Sequence, residues 1–200
     1  AGRTDAGVHA KQMFAHFDLD FDINIQDTIY SLNRLLPDDI AIQDVFKVRG
    51  NMHARFDALS RTYQYHIITH KDPFVKEAYL FRKALDIDSM NLACGFLLGR
   101  KDFTSFSKVG TETYSNNCNV SYANWEFVGD NFVFTIRSDR FLRNMVRAIV
   151  GTLLEVGLGN KNPLEIQGIL CAKDRCFSGA SVPAHGLFLM EVRYPDGIKI

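Results

Sequence analysis

The chain has 200 residues, of which 46% are hydrophobic and 23% charged, and its formal net charge is zero. These values are typical of a globular protein with a substantial core and exclude a histone-like polycation. A local basic cleft stays open, because phosphate binding depends on where the charges lie. No apolar run reaches the ~18 residues of a membrane span. Four cysteines without a CxxC pair favour free thiols in a reducing cytoplasm.

The opening residues form the most informative motif of the chain. Gly2-Arg3-Thr4-Asp5-Ala6-Gly7-Val8-His9 places an aspartate between two glycines, which let a loop bend tightly and let another molecule come close. Arg3 is a candidate ion-pair partner that would keep Asp5 ionised, and an oriented carboxylate suits nucleophilic or acid–base chemistry. The alternative is a turn aspartate that caps its own loop. Because nothing precedes this motif, we expect the chain to be a piece of a longer protein.

The first half of the chain predicts three strands and one helix. Alternating residues predict a strand over 12–18, and apolar residues at helical spacing predict a helix over 25–36. Further strands are predicted over 40–48 and, where aromatic and β-branched residues concentrate, over 56–68. Residues 71–85 are predicted to be a connection.

The second half predicts three helices, a hairpin and a final strand. Asp88 is a good N-cap for a helix through Leu98, and a polar loop is expected over 103–119. The remaining predicted elements are a hairpin of strands 120–128 and 131–137 around Gly129-Asp130, helices over 141–156 and 162–172, and a strand over 186–194. We therefore predict an α+β fold with two α/β halves, 1–85 and 86–200, that together form one catalytic unit with antiparallel sheets and helices on one side.

Three residues of the strand near 60 alternate on one face. Arg61, Tyr63 and Tyr65 would point the same way, since residues i and i+2 share a face of a strand. An aromatic platform beside a cation suits stacking on a base and gripping a phosphate. Two core tyrosines beside a surface arginine are the alternative.

Two arginines lie four residues apart on the predicted helix 141–156. Arg143 and Arg147 would share a face of a mostly apolar helix, where an arginine needs a carboxylate or phosphate partner. Arg147 could therefore meet Asp5, whereas a solvated helix face is the alternative. The sequence has no HExxH or Cys/His spacing, no phosphate loop, no dinucleotide fingerprint and no GxSxG elbow. We expect neither a metal nor an organic cofactor.

The opening motif resembles the active-site signature of the tRNA pseudouridine synthase A family, and the resemblance extends over nearly the whole chain. Four further segments resemble the family and occur in the family's order: 53–65 with Arg61-Thr62-Tyr63-Gln64-Tyr65, 102–106, 141–151 and 184–189. Five segments together are far more specific than any one of them.

The resemblance implies an isomerase that converts uridine to pseudouridine at positions 38, 39 and 40 of the tRNA anticodon stem-loop, after flipping the base. Asp5 would be the nucleophile, attacking either the base or the sugar. Tyr63 would pack on the target base and assist removal of the C5 proton, Arg147 would pair with the aspartate, and Arg3 would help to flip the base. Leu187 or Leu189 would pack against the flipped uracil, and Arg61 and Arg143 are candidate substrate-binding residues.

The resemblance also implies a cytoplasmic homodimer that works without a cofactor, with the RNA cleft between two halves whose sheets join into one mainly antiparallel sheet. Family members carry a strand, a loop and a helix before the signature, a segment that the printed sequence does not include and that we expect in the longer protein. Two other functions stay open. A non-catalytic tRNA-binding module or chaperone could use the same cleft, and a sugar or nucleoside hydrolase would need a second carboxylate, for which Asp57 and Asp102 are available.

Overall fold

The computed structural model describes residues 4–111, 113–129 and 131–200. Its helices are α1 (Ile25–Leu35), α2 (Ile87–Gly95), α3 (Met145–Gly157) and α4 (Glu165–Ala172). Its strands are β1 (His9–Ala10), β2 (Ser60–Ile68), β3 (Tyr79–Leu80), β4 (Gly99–Asp102), β5 (Asn117–Val128), β6 (Asn131–Ser138) and β7 (Leu187–Arg193). Short 3-10 turns lie at 104–106, 175–177 and 184–186.

The strands form one mixed sheet whose order is β1-β7-β2-β6-β5-β4, with β3 beside the end of β2. Only the β1–β7 and β2–β3 pairings are parallel, and all the others are antiparallel. The predicted α+β class with a mainly antiparallel sheet is therefore confirmed. The sheet runs through residues from both parts of the chain, since β2 lies between β7 and β6.

One face of the sheet carries the main core. Tyr65, Phe134, Trp125 and Leu187 lie at paired positions on neighbouring strands and are almost fully buried. Helix α3 packs into the same core, with eleven of its residues buried, so it is apolar almost all round. In the described ranges no helix is both long and apolar enough to span a bilayer.

Two predicted strands are wrong, because side-chain bonds occupy backbone groups that strand pairing would use: a group of β7 in the first case and groups of the predicted strand itself in the second. Over 12–18, the Gln12 side chain accepts the Val192 N–H at 2.8 Å, so the chain leaves the sheet after the bond from Lys11 N–H to the Leu189 carbonyl. Over 40–48, the Asn33 side chain of α1 binds both the N–H and the carbonyl of Ile42. Backbone groups bonded in this way need no neighbouring strand.

The other predicted helices and strands are confirmed with shifted bounds, but the connection predicted over 71–85 contains β3, and the loop predicted over 103–119 contains a 3-10 turn and the start of β5. Asn24 caps α1 by accepting the N–H groups of Gln26 and Asp27, but no residue of this helix is buried. Helix α2 is capped by Asp86 and not by Asp88, which lies in its first turn. Strand β4 was not predicted, because its sequence Gly-Arg-Lys-Asp lacks residues that favour strands. It is a strand because the tertiary fold places it beside β5, with which it pairs. In the β5–β6 hairpin, Val128 pairs with Asn131, and Asp130 lies outside the described residues.

Candidate active site

Asp5 lies on a tight turn that leads directly into β1. The Val8 N–H donates to the Asp5 carbonyl at 3.2 Å, and Gly7 has φ +80°, a conformation that favours glycine. A Cβ atom on Gly7 would also lie 3.5 Å from the Ala184 side chain. The turn leaves 24% of the Asp5 side chain exposed, so the carboxylate is presented to a cleft while still being partly shielded from water. Arg3 lies outside the described residues.

Arg147, in the first turn of α3, forms the ion pair with Asp5 that the sequence suggested. Its Nη1 lies 3.0 Å from Asp5 Oδ2, and the Arg147 side chain is 22% exposed. The same guanidinium donates through Nε to the Val182 carbonyl at 2.7 Å. Because two acceptors hold it, the guanidinium has a defined plane, and its positive charge lies directly against the Asp5 carboxylate.

The prediction that Arg143 and Arg147 share a helix face is wrong. Asn144 adopts a left-handed conformation with φ 66°, and α3 begins only at the next residue. The Arg143 carbonyl accepts the Lys108 N–H at 3.0 Å, which ties the preceding loop to another loop and not to a helix. Arg143 is therefore an exposed loop residue that reaches the same cleft from another direction.

The cleft beside Asp5 has a volume of about 660 Å³ and is strongly cationic. It is lined by Asp5, Ala6, Lys108, Val109, Arg143, Asn144, Arg147 and Arg175. In the described part of the chain, four cationic side chains thus surround a single carboxylate. Lys108 and Arg175 were missed from sequence, because each lies on a loop far along the chain and no local pattern marks a residue that only tertiary folding brings to the cleft.

Tyr63 lies on β2, is partly buried, and is not among the residues that line the cleft of Asp5. Its ring meets Phe141 edge-on, with centroids 5.1 Å apart. Burial raises the pKa of Tyr63 to about 12, opposed by the positive charge of Arg61 and assisted by the negative charge of Asp5. The phenol is therefore neutral near pH 7.

Leu189 lies in a small cluster with Ala58 and Val192, against which Tyr63 also packs. Leu189 is directly opposite Tyr63 in the β2–β7 pairing. Leu187 lies two residues earlier, opposite Tyr65, in the main core. Of the two leucines, Leu189 is therefore the one directly opposite Tyr63.

The predicted platform of two tyrosines and an arginine is only partly present. Tyr65 is fully buried, and its hydroxyl donates to the Pro183 carbonyl at 2.8 Å, so it is a core residue. The Arg61 guanidinium donates to three backbone carbonyls, those of Arg55, Ala58 and Asp139. Arg61 thus joins two loops to β2, and burial lowers the pKa of its guanidinium.

The second carboxylate that a hydrolase would need does not reach this cleft. Asp57 accepts the His53 N–H at 2.7 Å, and Asp102 forms an ion pair with Lys173 at 3.1 Å. Neither lines the cleft of Asp5. Within the described residues, no three His, Cys, Asp or Glu side chains are grouped so that they could hold a metal ion.

Comparison with known proteins agrees with this geometry. Residues 93–195 match a family model described as tRNA pseudouridine synthase. The chain is 54% identical over 200 residues to tRNA pseudouridine synthase A of Parabacteroides distasonis, an alignment that covers 98% of this chain and 79% of the relative. It is 40% identical over 199 residues to the protein of that name from Bacillus subtilis, covering 98% of this chain and 81% of the relative. The chain therefore belongs to the tRNA pseudouridine synthase family, whose members are isomerases.

Proposed function

We propose that this chain converts uridine to pseudouridine in tRNA with Asp5 as its nucleophile, and that its targets are positions 38, 39 and 40 of the anticodon stem-loop. The observation that carries the proposal is the pairing of Asp5 with Arg147 inside a cationic cleft. A carboxylate in a cleft that binds polyanionic RNA weakens binding, because it repels the phosphates that its cationic neighbours attract. A role as the reacting group explains why a carboxylate occupies this position.

The reaction is an isomerisation whose atoms balance within the substrate. The bond from ribose C1′ to uracil N1 breaks, the base rotates, and a bond from C1′ to C5 forms. C5 then loses its proton and N1 gains one. Asp5 attacks the base or the sugar and leaves again at the end, so no co-reactant is consumed. Arg147 holds the direction of the Asp5 carboxylate before attack.

A base inside a stem-loop is reached only after it is flipped out of its stack. Tyr63 would give the flipped uracil an aromatic surface, with the buried Leu189 supporting its ring from β7, and Arg3 would fill the space that the base leaves. The raised pKa of Tyr63 favours packing over proton removal as its main role, because a neutral phenol is a poor base.

The cations at the cleft rim give the RNA backbone its contacts. Lys108 and Arg143 are exposed there, and phosphate contacts of this kind position RNA without reading its sequence. We propose that residues 1–85 and 86–200 act as one catalytic unit, since β2 of the first lies between strands of the second. We also propose that the protein works as a homodimer in the cytoplasm, where its four free cysteines stay reduced.

The target positions are tested with tRNA transcripts in which the uridine at position 38, 39 or 40 is replaced by cytidine. Pseudouridine is then mapped by carbodiimide modification and primer extension. We expect each replacement to remove one modified site and leave the others. Modification elsewhere in the tRNA would contradict the assigned positions. An intact protein that binds tRNA with no modified site in any transcript would favour a binding module or chaperone.

A further inference from the structure

The segment 178–182 runs along the first turns of α3 with its backbone in direct contact with the helix. A Cβ atom on Gly151 would lie 1.7 Å from the Ala180 carbonyl oxygen, and one on Gly179 would lie 2.9 Å from the Gly151 backbone. The Gly179 N–H donates to Thr152 Oγ1 at 2.8 Å. The crossing therefore depends on glycine on both sides, and the segment has no freedom to move toward the helix.

The segment 178–182 also binds Arg147, the arginine that forms the ion pair with Asp5. The Val182 N–H donates to the Arg147 carbonyl at 3.3 Å, and the Val182 carbonyl accepts Arg147 Nε at 2.7 Å. The backbone of Val182 is therefore bonded to both the main chain and the side chain of Arg147. A shift of the segment would turn the guanidinium and, with it, the direction of the Asp5 carboxylate.

Arg175 fixes the segment from its other side. Its Nη1 donates to Ser178 Oγ at 2.7 Å and to the Ser178 carbonyl at 3.3 Å, and its Nη2 donates to Ser181 Oγ at 3.0 Å. The Ser181 hydroxyl also accepts Asn144 Nδ2 at 2.6 Å, and Asn144 is the N-cap of α3. Arg175 thus bridges both ends of the segment, next to the residue that holds Arg147.

We propose that Arg175 is a positioning residue for the Asp5–Arg147 pair, acting through Ser181 and the Val182 carbonyl, although it also lines the cationic cleft. Three of the five N–H donors of its half-buried guanidinium are already bonded to Ser178 and Ser181, so a phosphate that took both terminal nitrogens would have to displace the bonds that hold the segment. Arg143, by contrast, is exposed at the rim of the cleft. This inference rests on the proposed role of Asp5.

The test compares Arg175→Ala, Arg175→Lys and Ser181→Ala in single-turnover pseudouridine formation at saturating tRNA, with tRNA affinity measured over a series of salt concentrations. We expect the rate constant to fall roughly 10- to 100-fold in all three variants, as small misplacements of reacting groups do. Lysine does not replace arginine here, because one ammonium group lacks the fork that spans two serines. The slope of affinity against salt should equal that of the wild type.

Ser181→Thr is the matched control, since it keeps the hydroxyl, and we expect it to retain a rate near that of the wild type. The loss of rate in the double variant Arg175→Ala/Ser181→Ala should be smaller than the two single effects combined, because both changes break the bond from Arg175 Nη2 to Ser181 Oγ, while Ser181→Ala also removes the acceptor of Asn144. A normal rate with weaker binding and a salt slope lower by about one would make Arg175 a phosphate ligand and overturn the inference. Equal rates for Ser181→Ala and Ser181→Thr would also overturn it. Turnover by Asp5→Ala would instead overturn the proposed function.

Discussion

The crossing of α3 by the segment 178–182 predicts a specific effect of Gly151→Ala. Inside a helix this change normally stabilises, since alanine is preferred over glycine by about 1 kcal/mol. Here the new Cβ atom would lie 1.7 Å from the carbonyl oxygen of Ala180 and 2.9 Å from its carbonyl carbon if nothing moved. These are backbone atoms, so no side chain can turn away to make room, and the segment itself must move from the helix.

The cost follows from that overlap. Inserting a methyl group into a close-packed site typically costs about 1–3 kcal/mol, and a clash with a carbonyl lies toward the upper part of this range. After the helix preference of alanine is subtracted, we expect the free energy of unfolding to fall by about 2 kcal/mol. For a chain of this length the melting temperature should drop by about 4–8 °C. Activity should fall at least tenfold at a temperature where the variant is folded, because Val182 moves with the segment.

Gly168→Ala is the matched control in α4, since a Cβ atom there has nothing within 4 Å. We expect it to raise the free energy of unfolding by about 0.5–1 kcal/mol and to leave activity unchanged. Urea unfolding followed by circular dichroism and single-turnover pseudouridine formation measure the two effects. A Gly151→Ala protein as stable and as active as the wild type would refute the close crossing and its link to Arg147.

Three further predictions concern Gly186, Tyr63 and Arg143. Gly186→Ala should lower the free energy of unfolding by about 1–3 kcal/mol, measured in urea, because its Cβ would lie 2.8 Å from the ring of Tyr65. The free energy of unfolding should fall between pH 10 and 12, since burial raises the pKa of Tyr63 to about 12 and the unfolded chain loses that proton first. In Tyr63→Phe, the decrease in the free energy of unfolding over this pH range should be less steep by up to about 1.4 kcal/mol per pH unit. Arg143→Ala should lower the salt slope of tRNA binding by about one, whereas Lys199→Ala, whose lysine pairs with Asp44, should not change it.

The sequence predicted most of the secondary structure where local signals and burial agree. Strand β2 and the β5–β6 hairpin combine β-branched and aromatic residues with a partner on each side or a tight turn between them. Residues 12–18 and 40–48 carry a similar pattern, but side-chain bonds from Gln12 and Asn33 replace the neighbouring strand. Alternation of apolar and polar residues does not indicate whether the tertiary fold provides a neighbouring strand for pairing.

The site was predictable where a motif marks it and not where distant loops meet. Asp5 and its contact with Arg147 followed from a glycine-bounded aspartate and an arginine on an apolar helix. The first residue of that helix was not predictable. It is set by Asn144, which adopts a left-handed conformation, and asparagine in a sequence gives only a weak signal for this conformation. Arg175 lies on a short 3-10 turn, and its serines follow in a segment without regular structure, where side-chain bonds decide the conformation.

Whether Asp5 carries the reaction is measured by the release of tritium from tRNA labelled with 5-³H-uridine. Tritium leaves C5 only when the new carbon–carbon bond forms there. We expect release by the wild type and none by Asp5→Ala or Asp5→Asn, with tRNA binding retained by both variants. Release by Asp5→Ala at a rate near that of the wild type would rule out Asp5 as the nucleophile, and a wild-type protein that binds tRNA and releases no tritium would rule out the reaction.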